Sequence, residues 1–153
     1  MADDSPPRLL LIVTGNTLRA EELDRPLAYY LKQQVEAAAG RLDVGFRTLV
    51  VSDFRRLNDE RLQVVPTISV GGPGVNELAH RWFEEVPFSL AVADRYCIQM
   101  DPDLVDPRVS IWGMDNATTQ IAVQVFIDRF LARFLERAAA YIPDPGDSED
   151  PDE

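Results

Sequence analysis

A three-layer α/β sandwich, with a mostly parallel sheet covered by helices on both faces, is the fold class predicted by three observations on this sequence. Apolar, β-prone runs alternate with segments of 3.6-residue apolar period through nearly the whole chain. Leu9-Leu10-Leu11-Ile12-Val13 is continuously apolar, the pattern of a strand buried on both faces. Strand-to-helix junctions carry glycine- or hydroxyl-rich turns: Thr14-Gly15-Asn16-Thr17, Gly71-Gly72-Pro73-Gly74-Val75-Asn76, and Gly113 to Thr119. The 153 residues fit one domain, long enough to bury about two-thirds of its unfolded surface without a disulfide or metal staple.

Taken in order, the first strand covers 9–13. The helix after it carries Leu23, Leu27, Tyr30, Leu31, Val35 and Ala38 on one stripe, with Gly40 as its expected C-terminal cap. Its regular part is expected to begin near Pro26, a residue suited to a first helical turn. Residues 44–51 predict a second strand and 54–62 a loop or one or two helical turns. Residues 67–70 predict a third strand, followed by a helix burying Val75, Leu78, Ala79, Trp82, Phe83 and Val86 and stopped by Pro87. Residues 88–93 and 96–100 predict either a hairpin at the sheet edge or a strand and its extension, apolar enough to pair across a homodimer. A strand over 108–112 ends at Gly113. From Asp115 or Asn116, both good N-caps, one long helix is expected to about Ala140, burying Val123, Phe126, Ile127, Phe130, Leu131 and Phe134. The domain spans 8–142 and is of Rossmann-like or flavodoxin-like type.

Residues 1–7, acidic and proline-rich, and the acidic tail 143–153 are expected to be disordered. Six of the eleven excess negative charges sit in that tail, at Asp144, Asp147, Glu149, Asp150, Asp152 and Glu153. No basic cluster exists to neutralise a duplex, so nucleic acid is excluded as the expected partner. The run 9–13 is too short to span a bilayer, and the start lacks the positive region of a secretory signal. With a single cysteine, Cys97, the expectation is a soluble, cytoplasmic protein.

In parallel α/β sheets ligands sit outside the carboxyl ends of the strands, where strand order reverses. The candidate binding residues are therefore Thr14, Gly15, Asn16 and Thr17 on the first turn, Gly71, Gly72, Gly74 and Asn76 on the second, and Gly113, Asp115 and Thr118 on the third. A glycine-rich turn opening a helix lets backbone N–H groups approach an anion such as phosphate. Against the dinucleotide fingerprint, Gly72-Pro73-Gly74-Val75-Asn76-Glu77 places a carboxylate where the third glycine belongs, which opposes a pyrophosphate.

Two resemblances bear on these turns. The residues Gly71, Gly72, Pro73 and Asn76, then Gly113, Asp115 and Thr118, each set ahead of a helix, look like the Rossmann-like module of archaeal S-layer-type surface proteins. That resemblance implies an assembly or binding role and no assigned chemistry; a signal peptide and an anchor do not accompany it. Thr14-Gly15-Asn16-Thr17 resembles the end of the phosphate loop of flavodoxins, which implies FMN and electron transfer, with Trp112 and Tyr96 as ring partners. The Ser/Thr-rich residues that precede that loop in flavodoxins are missing here.

Other chemistry is thinly represented. One His and one Cys assemble no Cys/His metal site, and no Gly-x-Ser-x-Gly elbow occurs; Ser69 and Ser110 fall inside predicted strands. His80 reads as a solvated helix residue, and Asp53 stands where a ribose-binding carboxylate would. Asp101, Asp103 and Asp106, interleaved with prolines, read as a solvated turn before a cation site. The expected function is a non-catalytic binding or assembly module recognising a small anionic or nucleotide-like ligand, with an FMN-binding electron carrier as the alternative.

Overall fold

The computed structural model describes residues 8–86, 91–93 and 96–141. The expected disordered ends 1–7 and 143–153, the helix stop at Pro87, residues 88–90 of the expected fourth strand and the Asp94-Arg95 turn lie outside the described residues. Strands form at Arg8–Thr14 (β1), Phe46–Ser52 (β2), Thr67–Val70 (β3), Ala91–Ala93 (β4), Tyr96–Met100 (β5) and Arg108–Gly113 (β6). Helices form at Leu18–Leu23 (α1), Arg25–Leu42 (α2), Asp53–Asn58 (α3), Glu77–Glu85 (α4), Asn116–Arg129 (α5) and Leu131–Ala140 (α6), with a 3-10 turn at Glu60–Leu62.

The strands make one sheet in the order β2-β1-β3-β6-β5-β4. β1 runs parallel to both β2 and β3, and β3 parallel to β6. β5 lies antiparallel to β6 and β4 antiparallel to β5, so β4 and β5 form an antiparallel pair at the edge of a mixed, mostly parallel sheet. Residues 96–98 of β5 pair with β4 on one side and with β6 on the other.

Alternation along β1 builds two cores. Leu10 and Ile12 join Leu31 and Val35 of α2 with Phe126, Phe134 and Leu135 of α5 and α6. Leu11 and Val13 point the other way, to Val51, Leu62, Leu78 and Trp82. One helical layer thus contains α2, α5 and α6, which touch one another, and the other contains α3 and α4. This is a single-domain α/β sandwich of generic Rossmann-like or flavodoxin-like type. In the second core Trp82 lies between the guanidinium groups of Arg56, 5.5 Å from its ring, and Arg108, 5.3 Å away.

The helices depart from the expected boundaries at four places. α1 is an additional short helix, capped by Thr17, whose Oγ1 accepts from Ala20 N–H at 3.1 Å. α2 does begin next to Pro26 but runs past Gly40 and is capped by Asp43 in the left-handed conformation, φ 59°. α4 starts at Glu77, not Val75, and leaves Phe83 exposed. The long C-terminal helix is two: Phe130 leaves helical geometry at φ −127°, ψ −19°. The offset sets α6 against α2, where Leu131, Phe134, Leu135 and Ala138 are buried, a tertiary demand that the local period does not encode.

Candidate functional site

β1 and β3 are neighbours whose outgoing connections leave toward opposite faces, α1–α2 on one and α4 on the other, so their carboxyl ends mark the point where strand order reverses. The three candidate turns follow β1, β3 and the next strand, β6, and so stand side by side. Between the first two, however, no gap remains. Gly15 lies against the backbone carbonyl of Val75, so closely that a Cβ there would overlap it. The opening is displaced by one strand. It is a crevice of about 190 Å³ walled by Arg19 and Leu23 of α1 with Asp24, by Gly72, Gly74 and Val75, and by Gly113, Met114, Asp115, Asn116 and Thr119.

The sequence-predicted residues divide accordingly. Gly72, Gly74, Gly113 and Asp115 line the crevice. Thr14 is fully buried with no partner for its hydroxyl among the described residues, Thr17 caps α1, and Asn16 is exposed away from the crevice wall. Asn76 is engaged on every polar side-chain atom: its amide donates to Ser69 Oγ (3.0 Å) and Val70 O (3.1 Å), and its oxygen accepts from the N–H groups of Leu78 and Ala79. It holds α4 on β3 and is a positioning residue for the turn. Thr118 and Asp115 form a capping box on α5, with Asp115 Oδ1 accepting from Thr118 N–H at 2.8 Å. Thr119 Oγ1 accepts from Gly113 N–H at 3.0 Å, tying the end of β6 to the same helix.

The N–H groups of Gly72 and Gly74 have no acceptor among the described residues, and Arg19 is the cation on the crevice wall. Asn116 closes one side by donating from Nδ2 to Leu23 O at 3.1 Å.

Sequence reasoning missed Asp24. An aspartate before Arg25-Pro26 looks like an N-cap, but its backbone is itself helical (φ −93°, ψ −31°) and its side chain makes no cap bond. It is 7% exposed, it lines the crevice, and its carboxylate sits over Gly71, just after β3. Gly71 has φ +112°, a conformation suited to glycine, and a Cβ there would lie 2.6 Å from Asp24 Oδ2. Among the described residues no donor reaches that carboxylate. Burial pushes its pKa up to about 6, and the charge of Arg19 partly opposes the rise.

No protein-family model matches this chain, and no curated protein matches it either.

The remaining candidates lie elsewhere. Asp53 is buried and works as a remote cap, accepting from Glu77 N–H at 2.7 Å with one oxygen and from Phe54 N–H at 2.7 Å with the other. The Asp101 carboxylate accepts from the backbone of Asp103, Val105 and Asp106, and Asp106 pairs with Arg108. Among the described residues no acidic, His or Cys cluster is arranged for a metal. His80 is exposed in a separate groove of about 370 Å³ with Pro73, Arg81, Phe83, Glu84 and Trp112. The Trp112 ring stands 6.5 Å from that of Phe83, so it faces this groove and does not line the crevice. Cys97 is buried, and burial pushes its thiol up to about 11, away from thiolate reactivity. No helix of the described residues is long and apolar enough to cross a membrane.

Proposed function

We propose that this domain is a non-catalytic binding module whose crevice at the carboxyl edge of β1, β3 and β6 takes a small ligand carrying an anionic group, such as a carboxylate or the phosphate-bearing part of a nucleotide. The observation that carries the reading is the pair of open N–H groups at Gly72 and Gly74 beside Arg19 at the reversal of strand order. The anionic group belongs on the Gly72–Gly74 side, because Asp115 already sets a carboxylate on the N-terminus of α5. The likeness of the second and third turns to the S-layer-type module supports a binding or assembly role. For FMN the support is weaker: the crevice is smaller than the roughly 300–1,000 Å³ of pockets for drug-sized ligands, and no aromatic ring lines it.

Thermal-shift screening of phosphate, nucleoside monophosphates, small carboxylates and FMN tests the proposal. A ligand at a hundred times its Kd raises stability by about 2.7 kcal/mol. Gly74→Asp is the matched control, since open space surrounds that position and the variant brings only a charge. A shift that survives Gly74→Asp would place the ligand elsewhere.

A further inference from the structure

We propose that the ligand of this crevice is a small zwitterion, an α-amino acid or a molecule with the same ammonium-and-carboxylate head, its ammonium held by Asp24 and its carboxylate by Arg19 and the Gly72–Gly74 turn. The inference rests on the reading of the crevice as a binding site and adds to it the cationic half of the ligand.

Three observations converge. Asp24 is more than nine-tenths buried as a residue, its carboxylate has no donor among the described residues, and the residue forms part of the crevice wall. A buried carboxylate without a partner carries a large desolvation penalty, and the group that relieves it best is a cation that also donates hydrogen bonds. Arg19 acts on Asp24 through its charge but makes no ion pair with it, and its side chain is exposed. The wall therefore presents a buried negative pole and a separate positive one, Arg19 with two free backbone donors. A molecule carrying one charge satisfies a single pole; a zwitterion satisfies both. The third observation is apolar: Leu23, Val75 and Met114 line the same space, Met114 at 76% exposure, and offer a hydrocarbon surface at the rim for a side chain.

Binding of this kind depends on pH in a defined direction. The other charged groups on the wall are Arg19 from α1 and Asp115 from the β6–α5 turn; the Gly71–Asn76 turn brings no titratable side chain, and Arg25 of α2 does not line the space. Above about 6 Asp24 is ionised and attracts the ammonium; as pH falls through that value it takes a proton and the attraction is lost.

The test is calorimetric titration of the full chain with the common α-amino acids, their α-hydroxy and N-acetyl counterparts, inorganic phosphate and nucleoside monophosphates. The expected result is that at least one amino acid binds at pH 7.5, about 10- to 100-fold more tightly than its α-hydroxy or N-acetyl counterpart, the range of a charge-assisted hydrogen bond. Asp24→Asn should bring the same loss, and lowering the pH to 5 should weaken binding by about 10-fold, the fraction of Asp24 left ionised one unit below its pKa. Equal binding of the α-hydroxy acid, or binding of phosphate compounds with no amino acid, overturns the zwitterion and leaves the crevice as the site. Amino-acid binding that survives both Asp24→Asn and Gly74→Asp, or binding by no compound of the panel, overturns both.

Discussion

Asp24 holds a buried negative charge that the fold does not neutralise, and that has a cost in stability. Its pKa rises from 3.8 to about 6 on folding, so the native state binds the proton more tightly than the unfolded chain. The penalty is absent below about 4, grows as pH rises, and is complete above about 6. Asp24→Asn is expected to stabilise the protein at pH 7.5 by on the order of 2 kcal/mol, a gain that disappears at pH 4; denaturant melts at the two pH values check it. A variant no more stable at pH 7.5 would mean that the carboxylate is relieved in solution. Gly15 is the opposite case. A methyl group there meets the Val75 backbone, so Gly15→Ala should destabilise by about 1–3 kcal/mol or more and separate the two turns. The glycines of the second turn were legible because glycine announces itself in a sequence. Asp24 was not, since nothing local distinguishes a helix cap from a carboxylate left beside a crevice.

At the scale of elements, α4 shows how the site's backbone is fixed. Its N-terminus is held by Asn76 from its own turn and by Asp53 from beyond β2. Its C-terminal carbonyls, at Trp82, Phe83 and Val86, accept from the Gln99 amide of β5. Loss of the Asn76 side chain removes a cap and two buried hydrogen bonds together. Asn76→Ala is therefore expected to cost about 2–4 kcal/mol in a urea melt and to loosen the Gly71–Val75 backbone; a cost under 1 kcal/mol would show that the contacts are redundant. β1, β2, β3 and β6 were legible because their apolar runs are bounded by turn residues. The break at Phe130 was hidden, for neither proline nor glycine marks it and the apolar period continues across it. Helix α1 was also hidden, being only six residues between Thr17 and a second helix start.

For the whole molecule, two cores of unequal size flank one sheet, and the crevice sits above their junction. Phe126 is fully buried at the centre of the larger core, edge-on to Phe134 with ring centroids 6.0 Å apart. Phe126→Ala should cost about 3–5 kcal/mol by calorimetry, while ligand affinity, set by turns at the sheet edge, stays unchanged where the variant remains folded. A large change in affinity would couple core and crevice more tightly than the fold suggests. Layering was readable from the alternation of strand and helix. Strand order was not, because it depends on which strands pair, and with it went the knowledge of which two turns flank the crevice.

Gly72 has one side on the crevice and the other against the indole of Trp112, whose Cε3 would stand 3.6 Å from a Cβ at that glycine. A single thin stretch of backbone thus separates the crevice from a fluorophore. The other tryptophan, Trp82, is remote between its two arginines, so Trp82→Phe would leave an emission spectrum belonging to Trp112 alone. Under the proposed binding role, Trp112 would serve as an optical gauge for what enters the crevice.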